Sequence, residues 1–136
     1  LAMIRDYPLT GIGKGNYSTI ADEYRHAYPD FTFNSRAHAH NNVLQIAVEG
    51  GILSLLSFLW LWVVIFRTLY RTYRKFPEAQ REMKMLALGC FGALMAFFAH
   101  GFFEYNFGDA EVAMMMWTVM AFAIKLYEFS PNSSAH

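Results

Sequence analysis

Charge is scarce in this chain: 16% of its residues are Asp, Glu, Lys or Arg, and 11 bases balance 11 acids to a formal net charge of zero. That balance removes any argument from overall charge for a polyanionic partner, so no nucleic-acid binding is expected. Cysteine is almost missing too. The single Cys90 excludes an internal disulfide, leaves the redox compartment unread and, inside an apolar run, reads as a small core residue. The first ten residues lack the basic start, apolar core and small-residue cleavage site of a signal peptide, and residue 1 is Leu. A piece of a longer protein is therefore expected. What the chain has instead of charge is apolar surface, 55% hydrophobic and 18% aromatic, which is the balance of a membrane protein.

The apolar residues fall into three stretches of spanning length. Gly50 to Phe66 carries no charge, and with its flanks gives a transmembrane helix over 41–70. Trp60 and Trp62 lie well inside this span, as packing or lipid-facing residues and not as interface anchors. Residues 85–103 give a second span and 110–127 a third, with Asp109 as N-cap and Glu111 in the first turn. The adjacent methionines Met114, Met115 and Met116 point to different sides of that helix, which suits adaptable packing better than a metal box. Between the first two spans, Arg71, Arg74, Lys75, Arg81 and Lys84 face only Glu78 and Glu82, so 71–84 is expected on the cytoplasmic side. The turn 104–109 then lies outside, and the tail 128–136 inside. Residues 1–40 hold no spanning run and read as a periplasmic segment with short helices, one of them from Tyr17 to Ala27 behind an Asn16 cap. Gly11, Gly13 and Gly15 suggest a phosphate-cradling loop, but no apolar strand precedes them and the spacing is not that of a P-loop. A turn whose glycines take positive φ and let the backbone lie against a neighbour accounts for them. The fold class is all-α: a polytopic membrane protein with three transmembrane helices.

Polar chemistry gathers at one end of these spans. The run Arg36-Ala37-His38-Ala39-His40-Asn41 leads directly into the first span, where Asn41, Gln45 and Glu49 share a helix face at i, i+4, i+8. That face can line a wet cavity, while Gly50, Ser54 and Ser57 form a small-residue stripe that can seat a neighbouring helix. His100 ends the second span, and Glu104 follows four residues later as its hydrogen-bond partner or as part of a site. The topology brings His38, His40, Glu49, His100, Glu104 and Asp109 to the same side of the membrane. Several chemistries could use such a cluster. His38 and His40 are an i, i+2 pair without a third ligand at recognised spacing, which is thin ground for a metal. No serine sits in a nucleophile elbow and the lone cysteine has no histidine near it in sequence, so covalent catalysis has no support. General-base work by an imidazole remains, and Arg36 supplies a fixed charge suited to a phosphate.

These residues resemble the O-antigen ligase and polymerase family of bacterial polytopic membrane proteins. The likeness rests on His40-Asn41, a gap of nine residues from Asn42 to Gly50, and Gly51, with Leu44-Gln45 and Glu49 inside the gap. Pro8-Leu9-Thr10-Gly11-Ile12-Gly13 upstream and Glu104-Tyr105-Asn106-Phe107 downstream are similar too, and Ser54 stands where the family commonly has a glycine. The resemblance implies part of a GT-C-type glycosyltransferase that works without a metal or other cofactor. His40 would act as the general base toward an acceptor hydroxyl, such as that of lipid A-core. The donor would be a polyprenyl-diphosphate-linked glycan, with Arg36 on its diphosphate and His38, Asn41, Gln45, Glu49, His100 and Glu104 as further substrate-binding residues. It also implies a multi-pass protein of the bacterial inner membrane with its active face in the periplasm. Ligase, polymerase and protein oligosaccharyltransferase share this local signature. Outside the family, a proton-coupled transporter or lipid flippase would step polar groups through the membrane depth, whereas here they crowd at one surface. A non-catalytic membrane scaffold, its histidines merely capping helices, is a third reading.

Overall fold

A computed structural model describes residues 2–27 and 38–131 of the 136-residue chain. Arg36 lies outside the described residues. The described chain is helical throughout, with α1 at Ala2–Asp6, α2 at Tyr17–Ala27, α3 at Asn42–Lys75, α4 at Arg81–His100 and α5 at Ala110–Glu128. Short 3-10 turns at Glu78–Gln80 and Asn106–Gly108 precede α4 and α5. Among the described residues, three helices are long and apolar enough to cross a membrane. Asp109 does cap α5, its carboxylate accepting from the Glu111 N–H at 3.0 Å.

α3 is not continuous. At Gly51 the backbone leaves helical geometry, with φ 68° and ψ −168°, a conformation essentially confined to glycine. A break in a helix at membrane depth frees peptide groups that lipid cannot satisfy, so protein must supply the partners. Here the loop after α1 does. The Ile52 N–H donates to the Pro8 carbonyl at 2.9 Å, while Ile12 and Gly13 donate their N–H groups to the carbonyls of Val48 and Glu49, both at 2.9 Å. The Gly15 N–H adds a bond to Glu49 Oε1 at 3.0 Å. Gly11 and Gly51 are what let the two segments close. A Cβ on Gly11 would sit 2.4 Å from the Glu49 carbonyl carbon, and one on Gly51 would sit 2.2 Å from the Leu9 oxygen. Gly11, Gly13 and Gly15 all take positive φ, as a close-lying turn requires. Asn16 fastens the far end of this loop by donating its side-chain amide to the Ile12 carbonyl at 2.9 Å.

The described chain forms two compact units. One takes in the stretch up to Leu59 together with Gly101–Gly108, and the other comprises Trp60–His100 with the described residues from Asp109 on. In the first, Ala47, Val48 and Phe58 are buried, and the Phe58 ring meets Phe107 edge-on at 5.7 Å. Ser54 and Ser57 are exposed, so the small-residue stripe is not covered by a helix among the described residues, and Ser57 Oγ turns back onto the Leu53 carbonyl at 2.9 Å.

In the second unit the aromatic residues organise the packing. Trp62 is buried and surrounded by Phe66, Phe97 and Phe98 at ring distances of 4.9 to 6.1 Å, whereas Trp60 is 68% exposed. α4 and α5 pack through Ala87, Cys90 and Leu94 on one helix and Met116, Met120, Ala123 and Leu126 on the other. α3 runs to Lys75, beyond the apolar stretch, because lysine and arginine are good helix formers whose long stems lie along apolar surface. The Lys75 ammonium sits 4.3 Å over the Tyr127 ring and Lys84 sits 5.0 Å over Tyr73 and pairs with Glu78.

The break makes a direct prediction. In the full-length protein carrying this chain, Gly51→Ala places a side chain in a conformation costing about 1 to 3 kcal/mol and drives it into backbone that cannot rotate away. Thermal unfolding in detergent should fall clearly. Gly89→Ala meets open space in α4 and should leave stability unchanged or raise it by up to about 1 kcal/mol. Equal melting temperatures for the two variants would show that the Gly51 conformation is not needed.

Candidate active site

The first turns of α3 carry the polar residues, and the helix is started by one of them. Asn41 is the N-cap: its Oδ1 accepts from the Leu44 N–H at 2.9 Å, and its Nδ2 donates to the Phe102 carbonyl at 2.8 Å. The next peptide repeats the link, the Asn42 N–H donating to the Gly101 carbonyl at 2.7 Å. The turn after α4 is thus fastened to the start of α3 by two hydrogen bonds, which brings Glu104 beside His40. His40 Nδ1 lies 2.8 Å from Glu104 Oε1 and 3.0 Å from Oε2. The same Oε1 also accepts from the Tyr105 N–H at 2.9 Å.

These contacts have an electrostatic consequence. The Tyr105 N–H, first, and the His40 ring hold the Glu104 carboxyl below its usual range. Glu104 is then a carboxylate, an acceptor only, so the ring atom facing it carries the proton. The side chains of His40 and Glu104 are 38% and 43% exposed, open enough for a substrate to reach. The His38 ring lies 4.9 Å from the His40 ring, inclined to it by 62°, and 5.4 Å from that of Tyr105, inclined by 47°. Burial, and next the charge of Glu49, raise the Tyr105 phenol above its ordinary value. Ring nitrogens of His38 and His40 and a Glu104 oxygen lie within 4.8 Å of one another, close enough to share a metal ion.

The structure brings the expected base, His40, together with His38, Asn41 and Glu104 of the residues expected to bind substrate. Gln45 and Glu49 are committed to the scaffold. Gln45 is buried, 1% exposed, and its Oε1 accepts from the Ala39 N–H at 2.7 Å, holding the backbone between the two histidines. Glu49 accepts from Gly15 in the loop that braces the helix break. The face formed by Asn41, Gln45 and Glu49 therefore ties α3 to three other segments. His100 is exposed at the end of α4, in the second unit. Glu104 is turned onto His40 across 64 residues of chain, a pairing for which the sequence offers no spacing rule. Two contributors went unread in the sequence: Tyr105, through its backbone N–H, and Asn42, which is buried at 2%. Asn42 stands next to the cap residue, the one signal that could have marked it.

With that geometry in place, comparison with known proteins becomes decisive. The family model described as O-antigen ligase matches residues 1–59, the stretch that holds the glycine loop, both histidines and the helix break. Over this segment the chain is similar to the O-antigen ligase family. A curated O-antigen ligase from Salmonella typhimurium (strain LT2) is 36% identical over 76 residues, which is 54% of this chain and 19% of that protein. The chain thus spans about a fifth of the length of the curated ligase it matches.

The Gln45 contact can be checked. Gln45→Met keeps similar volume but leaves the part-buried Ala39 N–H without its acceptor, at a cost of about 1 to 3 kcal/mol. The full-length protein should melt lower, and Gln45→Glu, which restores an acceptor while burying a charge, should not recover it. A wild-type melting temperature in the Met variant would detach Gln45 from the histidine segment.

Proposed function

We propose that the protein carrying this chain is a membrane glycosyltransferase that moves a polyprenyl-diphosphate-linked glycan onto an acceptor hydroxyl, with His40 as general base. The observation behind this is the His40 to Glu104 hydrogen bond, with His40 in a segment similar to the O-antigen ligase family. Glu104 orients the ring and keeps its proton on Nδ1, so Nε2 takes the proton from the acceptor hydroxyl as that oxygen attacks the anomeric carbon. The bond from that carbon to the diphosphate breaks, the diphosphate lipid leaves, and the anomeric centre inverts. Glu104 steadies the imidazolium that forms, without taking its proton. Arg36, on sequence grounds, is assigned to the diphosphate, where a planar guanidinium can hold two oxygens at once. The acceptor assigned here is lipid A-core, as the family resemblance implies. The reaction needs no metal ion, and the site faces the periplasm from the inner membrane.

The test is transfer by the purified full-length protein from a polyprenyl-diphosphate glycan to lipid A-core, with chelator present throughout. His40→Ala should lower turnover by roughly 10² to 10⁴ while donor binding persists, since a positioned base contributes about that much. Glu104→Ala should lower turnover by a smaller factor with little change in donor KM. Arg36→Ala should weaken donor binding as well, and Arg36→Lys should recover only part of it. Full activity in His40→Ala would sink the base assignment, and transfer to glycan repeat units or protein hydroxyls but not to lipid A-core would make the protein a polymerase or an oligosaccharyltransferase.

A further inference from the structure

A base and the carboxylate that orients it require two side chains, yet three groups of metal-ligand chemistry meet here. His38 adds a second imidazole beside the His40 to Glu104 pair, and one ligand atom from each of the three falls within 4.8 Å of the others. We propose that His38, His40 and Glu104 bind a divalent transition-metal ion of the zinc type, and that the bound ion switches His40 off as a base. The binding stands on the geometry alone, and the blocking rests on the general-base reading above.

Two imidazoles and a carboxylate are a donor set that zinc accepts, with a fourth position left for water, whereas magnesium and calcium prefer oxygen ligands. Zinc bonds of about 2.0 to 2.2 Å in a tetrahedron put ligand atoms about 3.3 Å apart, so the three groups, now within 4.8 Å, need to draw together by at most about 1.5 Å. His40 and Glu104 are already closer than that, at 2.8 Å. His38 is half-buried, and its Nδ1 has a long 3.4 Å contact to the Ala39 carbonyl, so rotation of its ring can close the remaining distance. The supports that orient ligands in metal sites are also present. The Tyr105 N–H holds Glu104 Oε1 at 2.9 Å, and Gln45 holds the Ala39 peptide between the two histidines at 2.7 Å. Exposure of His40 and Glu104 gives an ion entry from water.

An ion held by both His40 and Glu104 replaces the hydrogen bond that now joins them. Glu104 then no longer orients the imidazole for the acceptor, and the ring is held on the ion instead of being turned to the hydroxyl.

Zinc binding is measured on the full-length protein in detergent by competition with a chromophoric chelator, and transfer is measured in parallel across a zinc titration. Wild type should bind one zinc ion at this site and lose transfer as it fills, with activity restored by excess chelator. His38→Ala, His40→Ala and Glu104→Gln should each weaken zinc binding by about 10²-fold, at the upper end of what loss of an outer supporting partner costs. In His38→Ala the zinc concentration that halves its own zinc-free rate should rise by the same factor. His38→Gln serves as the second variant if the alanine protein fails to fold. Identical zinc affinity in wild type and all folded variants would overturn the site. Saturating zinc that leaves wild-type transfer untouched would overturn the blocking, as would loss of wild-type transfer on chelation. Full transfer by His40→Ala would remove the base reading while leaving the zinc affinities to decide the site.

Discussion

Everything at the polar end of this chain depends on how the break at Gly51 is satisfied. A helix interrupted within an apolar span exposes peptide groups in a medium that cannot hydrogen-bond them, each at a cost of several kcal/mol. The loop from Pro8 to Gly15 meets that demand with backbone alone: one carbonyl for Ile52, and N–H groups for Val48 and Glu49. Backbone can approach so closely only where there is no Cβ, which is why Gly11 and Gly51 face the opposing segment at distances no side chain tolerates. A break held this way lets α3 begin with a short polar section, residues 42–50, and continue without charge as far as Phe66.

That polar section is built as an anchor. Asn41 starts the helix and grips the turn after α4, Gln45 grips the histidine segment, and Glu49 grips the glycine loop. The side chains left over for chemistry, His38, His40 and Glu104, are positioned by these bonds and are themselves more open to water. The division follows from burial: a buried amide must keep its partners, whereas a half-exposed imidazole can exchange a neighbouring carboxylate for substrate. It also explains how a proton can be held on one nitrogen of His40. Glu104 stays ionised because a backbone N–H and a ring N–H both favour its charged form.

The second unit obeys simpler rules. Stacked aromatics around Trp62 and buried apolar residues on α4 and α5, Ala87 and Ala123 among them, give close packing, as expected where helices associate in lipid. The cationic residues at the end of α3 and the start of α4 lie over tyrosine rings, an arrangement that keeps charge at an interface while the stems cover apolar surface.

The helices and their spanning length were legible from residue order alone, because the length of an uncharged run and the position of caps are local properties; Asp109 and the span after it are the plainest case. The glycine turn was legible for the same reason, as alternate glycines leave few backbone choices. The His40-Asn41 motif and its gap to Gly51 carried the family. What folding decided was every long-range pairing. Gly51 looked like the continuation of a helix until the loop at Leu9 was seen to occupy the place of its missing side chain. Gln45 and Glu49 shared a face with Asn41, but only the partners at Ala39 and Gly15 showed that the face was spent on anchoring. Glu104 sits four residues from His100 in sequence and bonds instead to His40, because hydrogen bonds to the Gly101 and Phe102 carbonyls bring its turn there. Helical periodicity reports which residues share a surface; what meets that surface depends on chain segments dozens of residues away.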